Sequence, residues 1–128
     1  MSLELTLLVW SVALAFVQML IAMTGRVLEV GLPSFVGNRE DLPPLSGWMG
    51  RADRAYRNML ENLLLFAVLV IVLEVTNKDD EVTGLGAQLF FWARCVYVIV
   101  YVAGVPWLRT LVWAVSVVGL ILIFLQLV

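Results

Sequence analysis

Apolar residues fall into four long blocks separated by polar stretches. The first runs from Leu5 to Met23, with Gln18 its most polar member. The second belongs to a helix predicted over Arg51–Val75, whose wholly apolar part is only Leu63 to Leu73. The third runs from Leu85 to Ala103 and carries Gln88 and Arg94, and the fourth runs from Leu111 to Val128 with Ser116 and Gln126 inside it. A helix needs about 20 residues to cross about 30 Å of hydrocarbon. Blocks one, three and four meet that length. Block two does so only if its first turns project into the headgroups or a protein interior. The pattern therefore predicts an all-α integral membrane protein, a four-transmembrane-helix bundle. It forms one domain over residues 1–128, with spans at about 5–25, 51–75, 85–103 and 107–128. Met1-Ser2-Leu3-Glu4 has no basic residue and no small-x-small site follows the first block, so that block reads as a retained span rather than a signal peptide.

The connections differ in kind. Arg26 to Gly50 reads as a long loop, with Gly31, Pro33, Gly37, Pro43, Pro44 and Gly47 interrupting regular structure. Asn77-Lys78-Asp79-Asp80-Glu81 is a short acidic turn. Gly104-Val105-Pro106 is a tight one, with Pro106 suited to the first turn of the last helix. Arginines gather at the first and third connections: Arg26, Arg39, Arg51, Arg54, Arg57 and Arg109. The second connection sets one lysine against three acids. By the positive-inside rule, both chain ends face outward and the arginine-rich connections face the cytoplasm. The start of helix two, the end of helix three and the start of helix four then share one face.

Polar residues on those segments fall in register. On a helical wheel Arg51, Arg54, Arg57, Asn58 and Glu61 occupy a sector about 120° wide, with Ala52, Ala55, Tyr56 and Met59 opposite. A charged residue near the bilayer centre costs about 2.5–3.5 kcal/mol, so such a stripe is tolerated mainly where it lines a cavity. On helix three, Arg94, Tyr97 and Tyr101 lie within about 60° of one another, and Arg109 follows the turn. The two tyrosines alone also fit interfacial aromatic packing. Arg94, mid-block, is a functional-site candidate with Glu61 as its expected partner, a purely structural pair being the alternative.

Composition agrees with the membrane reading and removes several classes. The 128 residues are 62% hydrophobic and 14% charged, where soluble domains carry about a quarter charged. A net charge of −2, spread along the chain, gives no footprint for nucleic acid. Cys95 is the single cysteine and there is no histidine, which argues against a disulfide and a zinc site. No phosphate loop, nucleophile elbow or paired-carboxylate motif is visible. What remains is a cation-rich set, Arg51, Arg54, Arg57, Arg94 and Arg109 against Glu61. It suits a small ligand bearing carboxylates, because guanidinium donates two parallel hydrogen bonds to a carboxylate. Glu61 is left to hold a ligand ammonium or to orient a neighbouring arginine. A zwitterion with two carboxylates and one amine, such as glutathione, fits that inventory.

These residues carry a resemblance. Arg51-x-x-Arg54-Ala55-x-x-Asn58-x-x-Glu61-Asn62, Ala93-Arg94-x-x-Tyr97-x-x-x-Tyr101 and Pro106-x-x-Arg109 resemble, in order, the motifs of the MAPEG family, the membrane-associated proteins in eicosanoid and glutathione metabolism. Within that family the chain resembles a bacterial-type microsomal glutathione transferase. The resemblance covers most of the chain and implies a homotrimer of four-helix subunits with glutathione, the co-substrate, bound between neighbours near the cytoplasmic side. It assigns Arg54, Arg57, Asn58 and Glu61 to glutathione, with Arg94, Tyr97 and Tyr101 completing the pocket and Arg51 and Arg26 as further basic contacts. It makes Arg109, with Arg94, the group that stabilises the thiolate. The second substrate is then a lipophile entering from the bilayer, and no metal is implied. Gly50 departs from the Glu of many animal members, Tyr97 varies among branches, and the Tyr101–Arg109 spacing differs by one residue from some members.

Three readings follow. The first is a membrane glutathione transferase or peroxidase, in a bacterial inner membrane if the source is prokaryotic. The second is a non-catalytic lipid-binding or assembly protein on the same fold, since the family contains such members. The third, a small multidrug antiporter, wants a carboxylate in the first span, and no acid lies between Glu4 and Glu29. Of the remaining residues, Glu74 reads as a solvated helix end, Cys95 as packing, Trp48, Trp92 and Trp107 as interfacial, and Gly104 and Gly119 as sites of close helix approach.

Overall fold

A computed structural model describes residues 1–31, 33, 36–37 and 47–128. Among the described residues, four long helices follow in order: α1 Leu3–Val30, α2 Gly47–Thr76, α3 Glu81–Ala103 and α4 Pro106–Leu127. All four are long and apolar enough to cross a membrane. Their outer faces carry Trp10, Phe16, Leu64, Ile71, Trp92 and Phe124 in the open, a surface whose natural solvent is lipid. The chain is an integral, multi-pass membrane protein.

The helices overrun their apolar blocks. α2 has 30 residues, about 45 Å at 1.5 Å per residue, so its polar first turns extend past a hydrocarbon layer of about 30 Å. The loop expected from Arg26 is correspondingly shorter. α1 continues through Arg26 to Val30 and stops at Gly31, whose φ of 84° is left-handed. Arg39, Pro43 and Pro44 lie outside the described residues.

Local chemistry sets the ends. The Ser2 hydroxyl accepts from the Leu5 amide to cap α1, and Asp80 and Thr83 close a reciprocal capping box on α3. Gly104, at φ 82°, ends α3 with its N–H reaching the Val100 and Tyr101 carbonyls, and Pro106 opens α4 as expected.

α3 packs chiefly on α4 and α1 on α2, with α1 and α2 both touching α3. The buried stripe of α1 includes Ala15, Ala22 and Gly25, and that of α2 includes Ala52 and Ala55, so their backbones approach closely. A Cβ on Gly25 would already stand 3.1 Å from the Met49 side chain. Between α3 and α4 the approach is tighter: a Cβ on Gly86 would lie 2.6 Å from the Gly119 carbonyl oxygen.

The apolar core occupies one half of the bundle. Leu7, Phe66, Val70, Leu73, Ala87, Phe90, Leu120 and Ile123 form it, with Phe66 and Phe90 stacked at 4.2 Å. Beyond it, the Ser2 hydroxyl donates to Glu74 and the Thr83 hydroxyl donates to buried Glu4 at 3.0 Å. Glu74 is thus half-buried and bonded to the chain's second residue rather than a solvated end. The opposite half holds the arginines.

Candidate functional site

At that opposite end α2, α3 and α4 diverge around a cleft of about 380 Å³, within the size range of small-molecule sites. Arg54, Arg57, Asn58 and Glu61 line it from α2, Tyr97 and Tyr101 from α3, and Arg109, Thr110 and Trp113 from α4. The wheel explains the α2 wall. Ala52, Ala55, Met59 and Asn62 turn inward and are buried, which leaves the charged stripe facing out.

The side chains of the cleft are arranged by one another. Tyr97 and Tyr101 meet edge to face at 5.4 Å, and the Arg109 guanidinium lies over the Tyr101 ring at 4.8 Å. Arg57, itself exposed, pairs with half-buried Asp53 one turn earlier at 3.3 Å. Three guanidiniums against the single carboxylate of Glu61 leave the cleft an excess of positive charge.

Three residues from the sequence reading lie elsewhere. Arg94 does not line the cleft. It has no exposed surface and lies behind the wall, over the Tyr97 ring at 4.1 Å, with Nη2 donating to Asn58 Oδ1 at 2.8 Å. Its expected partner, Glu61, is an exposed cleft residue and makes no ion pair among the described residues. Asn58 lies nearer the α3 side and takes the bond instead. Arg51 points to the end of α3, where Nε donates to the Val102 carbonyl at 2.8 Å, a cation completing a helix C-terminus. Arg26, half-buried in α1, is not among the cleft residues.

Thr110 and Trp113 are cleft residues that the sequence reading passed over. Trp113 stands one helical turn after Arg109, so the wheel of the fourth helix held the signal. On the other side of the α3–α4 pair a second cleft, about 390 Å³, is lined by Leu85, Gln88, Leu89, Trp92, Ala93, Val96, Val112 and Val115 and is largely apolar.

Arginines, phenols and Asn58 thus gather around one cleft in a bundle of four spans. A model of the MAPEG family matches residues 7–128. The chain belongs to the MAPEG family. No curated protein and no solved structure matches it. As a MAPEG protein it has a family-level role in glutathione-linked transferase chemistry or lipid metabolism, and the family includes glutathione transferases and related enzymes.

Proposed function

We propose that this MAPEG protein is a membrane glutathione transferase or peroxidase that holds glutathione in the arginine cleft and activates it as the thiolate. The observation that carries this reading is the convergence of Arg54, Arg57 and Arg109 with Asn58, Glu61 and Tyr101 on one cleft. Guanidiniums on two sides suit the two carboxylates of glutathione, and Glu61 suits its ammonium.

The chemistry follows from charge. A free thiol has a pKa of about 8.5, so only a few per cent is thiolate at neutral pH. A guanidinium beside the sulfur favours the anion. Lowering the pKa by about two units corresponds to about 2.7 kcal/mol and makes thiolate the majority form. Arg109 is the residue assigned to this task. The thiolate then attacks a lipophile delivered from the bilayer. At an electrophilic carbon it forms the C–S bond as a leaving group departs with its electron pair. At a hydroperoxide oxygen it breaks O–O to give a sulfenic acid and an alkoxide that takes a proton. A second glutathione then converts the sulfenic acid to the disulfide and water.

The same reading makes the working unit a homotrimer, with both termini outside and the cleft at the cytoplasmic face. It places the protein in the bacterial inner membrane if the source is prokaryotic. Its partners are further copies of the chain, membrane lipid and the lipophilic substrate, with no nucleic acid and no metal.

A second reading, a non-catalytic lipid-binding or assembly protein, draws support from the apolar cleft beside Trp92. Titrating glutathione into detergent-purified protein, following heat and thiolate ultraviolet absorbance together, separates the two. Binding with a thiolate signal that Arg109→Ala removes is the expected result. No binding at millimolar glutathione overturns the transferase reading in favour of the lipid-binding one.

A further inference from the structure

Asn58 is the only uncharged carboxamide among the cleft-lining residues, and its orientation is chemically determined. Its Oδ1 receives Arg94 Nη2 at 2.8 Å and Asn62 Nδ2 at 3.2 Å. Arginine carries donors only, so the atom facing it must be the oxygen and not the amide nitrogen. The same Asn62 Nδ2 also donates to the Asn58 main-chain carbonyl at 2.8 Å, which ties Asn62 to the preceding turn of α2.

Both lone pairs of that oxygen are therefore occupied from behind the wall. Asn58 can accept nothing further, and its Nδ2 keeps two N–H donors for the cleft. Arg94 adds a second effect. A hydrogen bond from a cation to an amide oxygen polarises the amide, and polarised hydrogen bonds strengthen the next bond in the chain. A guanidinium with no exposed surface thus acts on the cleft through a neutral side chain.

We propose that Asn62 and Arg94, neither of which lines the cleft, are positioning residues that commit Asn58 to donating. The α2 wall then demands an acceptor at this point, a carboxylate or a peptide carbonyl, and rejects a ligand donor there. The identity of that ligand as glutathione rests on the function proposed above. The clamp itself does not. A purely structural role for Asn62, bonding its own helix, predicts a change in stability and none in recognition.

The test is a double-mutant cycle on Asn58 and Asn62 in the purified full-length protein, with glutathione affinity as one readout. The second readout is the side-chain amide resonance of Asn58 in protein carrying isotope-labelled asparagine. Asn62→Leu is expected to weaken glutathione about tenfold, the loss of one hydrogen bond's worth of orientation. In an Asn58→Ala background the same change is expected to cost nothing more, because there is no carboxamide left to orient. Equal affinity for Asn62→Leu and the parent, or an undiminished loss in the Asn58→Ala background, overturns the proposal. Asn62→Ala replaces Asn62→Leu if the latter does not fold. If the parent itself fails to bind glutathione, the proposed function falls and the resonance decides the clamp. A shift of the Asn58 signal on Asn62→Leu upholds it, and an unmoved signal overturns it.

Discussion

The Arg109 guanidinium lies over the Tyr101 ring, 4.8 Å from its centroid, joining the last turn of α3 to the first turn of α4. The turn between them, Gly104-Val105-Pro106, is short enough to make this contact local. A cation over an aromatic face contributes about 0.5–1 kcal/mol when exposed and about 2 kcal/mol when desolvated. Tyr101→Phe keeps the ring and is expected to leave the position of Arg109 unchanged. Tyr101→Leu removes the platform and is expected to lower the thiolate signal of bound glutathione, read by ultraviolet absorbance. Equal signals in the two variants would mean that the ring does not hold the arginine.

The pH dependence of that signal tests Arg109 directly. A guanidinium favours the anion, so it lowers the thiol pKa and leaves thiolate predominant above the lowered value. With a fall of about two units from about 8.5, the thiolate of bound glutathione is expected to appear through about pH 6.5 and then level off. Conjugation rate follows the same rise. In Arg109→Ala the rise is expected to move up towards about pH 8.5, and Arg109→Lys, lacking the planar stack, to fall between. Coincident profiles for parent and Arg109→Ala would remove Arg109 from thiol activation.

Arg51 separates what the motif implies from what the geometry does. Its Nε donates to the Val102 carbonyl at the end of α3, and a Cβ on Gly104 would stand 3.4 Å from that nitrogen. Arg51→Ala is expected to cost about 1–2 kcal/mol of stability through the uncapped helix end while leaving glutathione affinity near the parent's. Arg54→Ala is expected to do the reverse, weakening glutathione with little effect on unfolding. Thermal unfolding and titration of both variants read the contrast. A large affinity loss in Arg51→Ala would return that residue to the site.

Much of this arrangement was legible because helical spacing fixes which residues share a face. Arg54, Arg57, Asn58 and Glu61 form one wall as the wheel predicted, and Tyr97 and Tyr101 form another. Spacing gives angle but not depth. Arg94 shares the tyrosine face, yet the closeness of α2 at that level places it behind Asn58 rather than in the opening. The Glu74 contact is not legible for a different reason: its partner, Ser2, is separated from it by nearly the whole of two helices, and no local pattern carries that bond. α1 outruns its apolar block because the helix continues through the charged residues Arg26 and Glu29, which break the apolar run without breaking the helix. The helix seam at Gly119 was anticipated. Gly104 instead serves a left-handed helix end.

That seam makes a stability prediction. A Cβ on Gly119 would lie 2.9 Å from the Phe90 amide nitrogen and closer still to the Gly86 carbonyl oxygen. Both obstacles are backbone, so α3 and α4 must part to admit even a methyl group. Gly119→Ala is expected to destabilise the bundle by about 1–3 kcal/mol, the usual range for overpacking a tight contact. A lowered unfolding temperature in detergent checks this. An unchanged one would mean that the helices slide apart at little cost.

Gln18 is the opposite case, a position where the natural residue is a burden. It is 3% exposed, and neither Oε1 nor Nε2 has a partner among the described residues. It borders a void of about 20 Å³ whose other walls are Ile21, Ala52, Ala55, Val98 and Val102. A water molecule needs about 10–15 Å³ and also two to four polar partners. The volume suffices, but apolar side chains surround it and Gln18 alone offers hydrogen bonds. The void is therefore expected to be dry, and the amide to remain unsatisfied in a low-dielectric interior. An unpaired buried amide costs about 1–3 kcal/mol. Gln18→Leu, similar in volume and wholly apolar, is expected to recover a similar amount and raise the unfolding temperature. A fall in stability on that substitution would show that the amide is satisfied after all, by a water held in the void.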